Sequence, residues 1–411
     1  MSFKSRKAAV AFIFVTVLLD MLALGMIIPI LPKLIESFQG GDTALAAKTL
    51  AVFGTAWAIM QFFAAPIIGS LSDHFGRRPV VLLSNVGLGL DYMLMAWAPT
   101  LRWLFVGRLI SGITAASIPA ALAYIADVTP GEKRAKAFGI MGAAFGIGFI
   151  VGPVLGGLLS RGGPRLPFWV ASVLSLTNAL YGLFVLPESL PKERRAAFSW
   201  RRANPWGALS LLRRHHQLLG FAAVHFLYYL AHQSLQSVFV LYTGYRYGWD
   251  SFVVGLSLGA VGVSFSIVQA ALVGPVVSQF GERRALLMGL AFGAAGFAIY
   301  GLAPTGWWFA AGIPIMSLWG FYGPAAQGLM SQRVGQTEQG QLQGALSSVV
   351  TLTGIAGPTI FALTFATFIG RARDWHLPGA PYLLASAMLV AAVAVAWRLT
   401  RKTVPAVPEL G

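Results

Sequence analysis

Long apolar runs, each near the 20 or so residues a helix needs to cross a bilayer, dominate this chain. They fall at about 8–32, 48–70, 79–99, 102–126, 137–160 and 167–187, and resume at about 218–242, 251–277, 284–304, 307–331, 341–369 and 380–398. Lipid offers no hydrogen-bond partner to a backbone N–H or C=O, so a long unalternating run resolves as a helix that satisfies its own backbone. Only 11% of the 411 residues are charged, against about 25% in soluble domains. So sparse a charge cannot keep a surface hydrated. The runs therefore predict an all-α membrane protein with twelve transmembrane helices in two six-helix bundles.

The one long polar interval is 188–217, which holds Lys192, Arg194, Arg195, Arg201, Arg202, Arg213 and Arg214. It separates an N-terminal bundle (1–187) from a C-terminal bundle with a short cytoplasmic tail (218–411), and reads as a solvated cytoplasmic linker. With both termini cytoplasmic, most of the 30 Lys and Arg residues lie in cytoplasmic segments, as the positive-inside bias requires. The formal net charge of +16 then follows from topology and calls for no nucleic-acid partner. Cysteine is absent, which excludes disulfides, thiolate metal sites and a thiol nucleophile. The segment Met1–Ala8 lacks a small-residue cleavage site before the first apolar run and is expected to be an uncleaved first helix.

A charge inside a span costs ~2.5–3.5 kcal/mol or more, so those that persist are candidates for function. Asp20 stands in the first run, Asp91 in the third and Arg108 in the fourth. A carboxyl away from water is favoured in its neutral form, the property a proton carrier needs. An alternative is a buried ion pair between Arg108 and one aspartate that only fixes packing, though it would leave the other aspartate without a cation. The second half has milder polar groups. These are His225, Tyr228, Tyr229, His232, Gln233 and Gln236 in span seven, Gln269 in span eight and Gln327 in span ten. With Gln61 of span two, the residues His232, Gln233, Gln269 and Gln327 are candidate ligand contacts; hydrogen bonds between helices would explain the glutamines equally well.

Two motifs sharpen the reading. Between spans two and three runs Gly69-Ser-Leu-Ser-Asp73-His-Phe-Gly76-Arg77-Arg78-Pro79. Gly69 is expected to allow close helix approach and Gly76 a tight turn, with Asp73 at a helix N-terminus and Arg77 and Arg78 facing carboxylates and headgroups. Span five contains Gly148, Gly152, Pro153, Gly156 and Gly157, small residues that let helices touch backbone to backbone around a proline bend. A weaker echo of the loop motif, Gly274 to Gly281-Glu-Arg283-Arg284, follows span eight.

The loop motif resembles the signature loop of the major facilitator superfamily, and the span-five pattern resembles the antiporter motif of its drug-efflux members. Leu19-Asp20, Leu90-Asp91-Tyr92, Gly107-Arg108, Ile125-Ala-Asp127, Arg246-Tyr-Gly-Trp249, Gln327-Gly-Leu-Met-Ser331 and Glu338-Gln-Gly-Gln-Leu-Gln-Gly344 further resemble the proton-coupled tetracycline efflux proteins. The resemblance implies a multi-pass protein of the inner membrane, monomeric, exporting a small amphipathic drug, tetracycline among the candidates, in exchange for protons. It implies proton-coupling roles for Asp20, Asp91 and Arg108 and a gating role for Gly69, Asp73, Gly76, Arg77 and Arg78. No cofactor is implied; the proton gradient drives transport, and a divalent cation can travel as cargo with the substrate. Two departures bear on that cargo: the family's acid of span nine falls on Gly293 and its histidine of span eight on Phe265. An uptake symporter on the same fold is the alternative reading. A transport-silent receptor would usually add a soluble domain, for which no loop is long enough, and no nucleophile–base or metal-ligand set points to an enzyme.

Overall fold

Because each helix must satisfy its backbone internally, the chain breaks its helices mainly where proline or glycine forces it to. The computed structural model describes residues 3–115, 118–197, 216–335 and 338–401. Of the expected connector, 198–215 lies outside the described residues, including Arg201, Arg202, Arg213 and Arg214, as does the tail from 402.

Among the described residues the structure is helical without strands, and the helices make the twelve passes expected. The first pass comprises Phe3–Ile27 and Leu31–Phe38, interrupted beside Pro29, which has no N–H to continue the ladder. Thr43–Phe75, Arg77–Trp97, Leu101–Thr114 with Ile118–Val128, Gly131–Ser160 and Leu166–Val185 complete the first six. His216–Tyr247 opens the second six. Helical structure from Ser251 to Leu302 then forms two passes, divided at Gly281 by a non-helical φ of 76°. The tenth pass is fragmented into Gly306–Ala311, Ile313–Ser317, Leu318–Phe321 and Tyr322–Ser331, and Gln339–Ile369 and Ala380–Arg401 finish the chain. Eight helical stretches are long and apolar enough to cross a membrane outright. The fourth, seventh and tenth passes are outside that set, and the tenth is broken and the seventh carries the polar residues noted above.

Residue contacts divide the chain into two units. One is Met1–Gly41, Ala56–Pro205 and Trp249–Gly259; the other is Asp42–Thr55, Trp206–Gly248 and Ala260–Gly411. In the first, Ile13, Val17, Met21, Tyr124, Met141 and Ala144 form part of the buried core. There Gly157 lies against Ser251 and Phe252, and Gly255 against the Pro153 carbonyl. In the second, Tyr300 stacks on Phe309 at 4.0 Å and the Tyr242 hydroxyl donates to the Tyr300 carbonyl at 2.9 Å. Thr55 joins this unit by donating to the Ile355 carbonyl at 3.1 Å and meeting the Thr359 hydroxyl at 2.9 Å.

Candidate functional site

The embedded charges come together in the first unit around a residue that cost arguments alone do not select. Tyr92, 2% exposed, interacts electrostatically with Asp91, Asp20 and Arg108. Asp91 is 1% exposed, and the polar groups beside its buried carboxyl are the Ser111 hydroxyl and the Arg108 guanidinium. Gly107 gives it room: a Cβ there would meet Asp91 Oδ1 at 2.9 Å. Asp20 is better held, accepting from Asn178 Nδ2 at 3.2 Å, while the Asn178 amide also bonds Thr16 through its backbone carbonyl and hydroxyl. Among the described residues Arg108 makes no ion pair within 4.0 Å; its Nε is buried without a partner and its guanidinium lies 5.3 Å from the Trp57 ring centroid. Asp91 remains its electrostatic counterpart. The simple packing pair is therefore not what forms, and a buried carboxyl stands beside a cation that it attracts without touching.

The loop motif builds a second, more exposed network. Gly76 has φ 107° and ψ 161°, a backbone open to glycine, and starts the Arg77–Trp97 helix. Arg77 pairs with Asp73 and, through Nε at 3.2 Å, with Asp127 Oδ2. Asp73 thus meets the arginine, and the helix N-terminus is met instead by Glu188, whose Oε1 accepts from the Arg77 backbone N–H at 2.9 Å; negative charge is favoured there by the unsatisfied N–H groups and the helix dipole. Ser189 Oγ donates to Asp127 at 3.1 Å, and Arg78 Nη2 to the Leu183 carbonyl at 2.6 Å. Gly69 does not act as expected: a Cβ there would meet nothing within 4 Å, so close approach does not account for it. The echo of this junction has the same backbone turn, Gly281 with φ 76° and ψ 159°, but Glu282 follows it in place of an arginine. Glu282 accepts from Gln332 Nε2 at 3.1 Å.

The span-five glycines do bring two backbones together. A Cβ on Gly148 would strike Met21, one on Gly152 would come within 2.8 Å of Gly25 Cα, and one on Gly156 would overlap the Met26 carbonyl. The helix also contains Pro153.

In the second unit, the candidate ligand residues separate. Gln233 packs its stem on Gly357, and Gln327 stands half-buried near the end of the tenth pass. His232 and Gln269 instead converge on the turn Leu318–Phe321: His232 stacks on Trp319 with centroids 5.1 Å apart, and Gln269 Nε2 donates to the Gly320 carbonyl at 3.5 Å. His225 Nδ1 shares a 3.1 Å hydrogen bond with the Tyr322 hydroxyl. Gly293 and Phe265 border the same turn. A Cβ on Gly293 would meet Leu389 at 2.8 Å and Trp319 at 3.3 Å, and one on Gly320 would meet the Phe265 ring at 2.9 Å. Gln61, half-buried on the Thr43–Phe75 helix, belongs to the first unit. No three His, Cys, Asp or Glu residues cluster closely enough to hold a metal ion among the described residues.

Sequence reasoning passed over Asn178, Glu188, Trp57 and Trp319. A buried amide in the apolar sixth run was the one signal available for Asn178; the tryptophans look like any membrane aromatic.

Comparison with known proteins gives the family and the fold. The sequence model of the Major Facilitator Superfamily matches residues 13–358 and again 225–410. The chain is 38% identical over 388 residues to the class C tetracycline resistance protein of Escherichia coli, covering 93% of this chain and 96% of that protein. It is 37% identical over 357 residues to the class G tetracycline resistance protein of Vibrio anguillarum, covering 87% and 90%. The crystal structure of nucleoside transporter NupG superposes with a TM-score of 0.76 at 13% identity, covering 96% of this chain and 100% of that one.

Proposed function

The chain belongs to the Major Facilitator Superfamily, a membrane transporter, and from that premise we propose that it is a proton-coupled antiporter exporting a small amphipathic drug across the inner membrane, with both termini cytoplasmic. The observation that carries this reading is the group formed by Asp91, Asp20, Tyr92 and Arg108: an almost wholly buried carboxyl beside an embedded cation. Such a carboxyl is expensive in its charged form unless a cation compensates. Protonation of Asp91 removes its attraction for Arg108, and deprotonation restores it, so the proton changes the forces between the Arg77–Trp97 and Leu101–Thr114 helices that bear them. Asp20, held by Asn178, is the second exchangeable carboxyl. The Asp73–Arg77–Asp127 network, tied through Ser189 to the start of the connector, acts on the gating rate.

The driving force is sufficient. One net charge moved through 100 mV is worth ~2.3 kcal/mol, or roughly a 40-fold gradient at ~1.4 kcal/mol per decade, so one proton against a neutral drug makes a useful pump. The names of the relatives make tetracycline the first drug to try.

Everted membrane vesicles test this directly. Drug addition to vesicles holding a proton gradient is expected to release protons with wild type and not with Asp20→Asn or Asp91→Asn at matched expression. Full proton-driven transport by both variants would overturn the coupling assignment.

A further inference from the structure

Four rings in the second unit follow one another in series, two of the three contacts stacked and the middle one tilted. His232 stacks on Trp319 at 5.1 Å and 20°, Trp319 meets Tyr228 at 4.8 Å and 33°, and Tyr228 stacks on Tyr322 at 3.9 Å and 19°. Offset stacking is a favoured aromatic geometry, but an ordinary core does not need a series of near-parallel rings. Three rings are closed off, with Trp319, Tyr228 and Tyr322 at 4%, 6% and 1% exposure. The fourth, His232, is partly exposed, with the Tyr229 ring tilted beside it at 6.4 Å. The stack therefore ends in its one partly exposed ring.

The backbone around it is irregular on two sides. Span eight relaxes into a π segment at Val268–Leu272, and span ten tightens into a 3₁₀ segment at Leu318–Phe321. Such irregularities cluster at functional sites, and in a membrane they persist only where protein buries them or a cavity receives them. Each carries a polar group to the end of the stack: Gln269 from the π segment, and the Gly320 carbonyl to which it donates over a long 3.5 Å. A hydrogen bond that long is weak, so both groups keep capacity for a ligand. The position of Trp319 depends on Gly293, since a Cβ there would lie 3.3 Å from both Trp319 Cβ and its ring. Gly293 thus makes room for the indole and backs the aromatic platform.

We propose that this stack is a binding site for planar aromatic ligands, in which a flat ring system continues the series at the His232 end, with Gln269 and the Gly320 carbonyl as its hydrogen-bonding groups. It deepens the drug-export reading and rests on it, naming the ligand as one recognised by its flat π face instead of by a chelated metal. Ring stacking is worth ~0.5–1.5 kcal/mol beyond area burial, so loss of one platform ring should weaken binding about 2- to 12-fold at ~1.4 kcal/mol per decade.

The test is equilibrium dialysis of the full-length protein in nanodiscs, without a gradient and with chelator present, against empty discs. The probes are proflavine, a planar tricyclic cation, and tetrabutylammonium, a cation with no ring. Trp319→Phe should keep proflavine affinity within about twofold and Trp319→Leu should lose it by 2- to 12-fold, tetrabutylammonium being unchanged by either. Since Trp319 is buried, His232→Phe and His232→Leu repeat the contrast at the partly exposed end; thermal unfolding of each variant checks that it is folded. Equal proflavine binding by the Phe and Leu variants of His232 would overturn the proposal, as would equal losses for both probes or failure of wild type to bind proflavine. The drug-export reading fails separately, in the proton-release assay with Asp20→Asn, because dialysis measures no coupling.

Discussion

Gly156→Ala is a one-carbon change whose consequence follows directly from the packing of the first unit. The added Cβ would overlap the Met26 carbonyl oxygen and lie 2.7 Å from Met26 Cα. Both obstacles are backbone, so no side chain can rotate away, and the Phe3–Ile27 and Gly131–Ser160 helices must separate locally. Overpacking of this kind costs ~1–3 kcal/mol. In a unit of roughly 200 residues each kcal/mol moves the melting temperature by about 2–4 °C, so a fall of roughly 2–12 °C is expected. The same helix supplies the control. Gly142 has nothing within 4 Å of its added Cβ and is exposed, so Gly142→Ala meets no obstacle and gains up to ~1 kcal/mol from helix propensity. The assay is thermal unfolding in detergent followed by the surviving monodisperse fraction on size exclusion. Equal shifts for the two variants, or a Gly156→Ala protein as stable as wild type, would refute the argument that backbone contact explains this glycine.

Arg77→Gln removes the pairing with Asp73 and Asp127; partly exposed pairs contribute only ~0–1 kcal/mol to stability. It should therefore melt within a few degrees of wild type yet turn over at least about tenfold more slowly in vesicles, with the drug dissociation constant within about twofold; a large affinity loss with normal turnover would contradict the gating assignment. Transport of the best substrate in proteoliposomes should survive a chelator, because Gly293 and the adjoining Trp319 leave no carboxylate there to balance a metal complex. Efflux that collapses with chelator and recovers with added magnesium would show that a cation travels with the drug.

The number of passes and the costly charges of spans one, three and four are legible in the sequence because each is a local property. An apolar run of membrane length and an aspartate within it declare themselves without reference to the rest of the chain. Gly76 is legible for the same reason, as a turn residue between two runs. Who meets whom is not local. Asn178 reaches Asp20 across 158 positions and Glu188 reaches the Arg77 N–H across 111, and no one-dimensional pattern pairs them. The sequence leaves open an ion pair between Arg108 and an aspartate, whereas packing sets Arg108 against Trp57 with Asp91 at a remove. Trp319 is the clearest case. Aromatic residues cost nothing in an apolar span, so neither it nor Tyr228 stands out, and Gly293 reads as one glycine among many. Only tertiary packing decides that the space beside it holds an indole, because the volume beside a glycine is filled by whatever neighbouring helix reaches it.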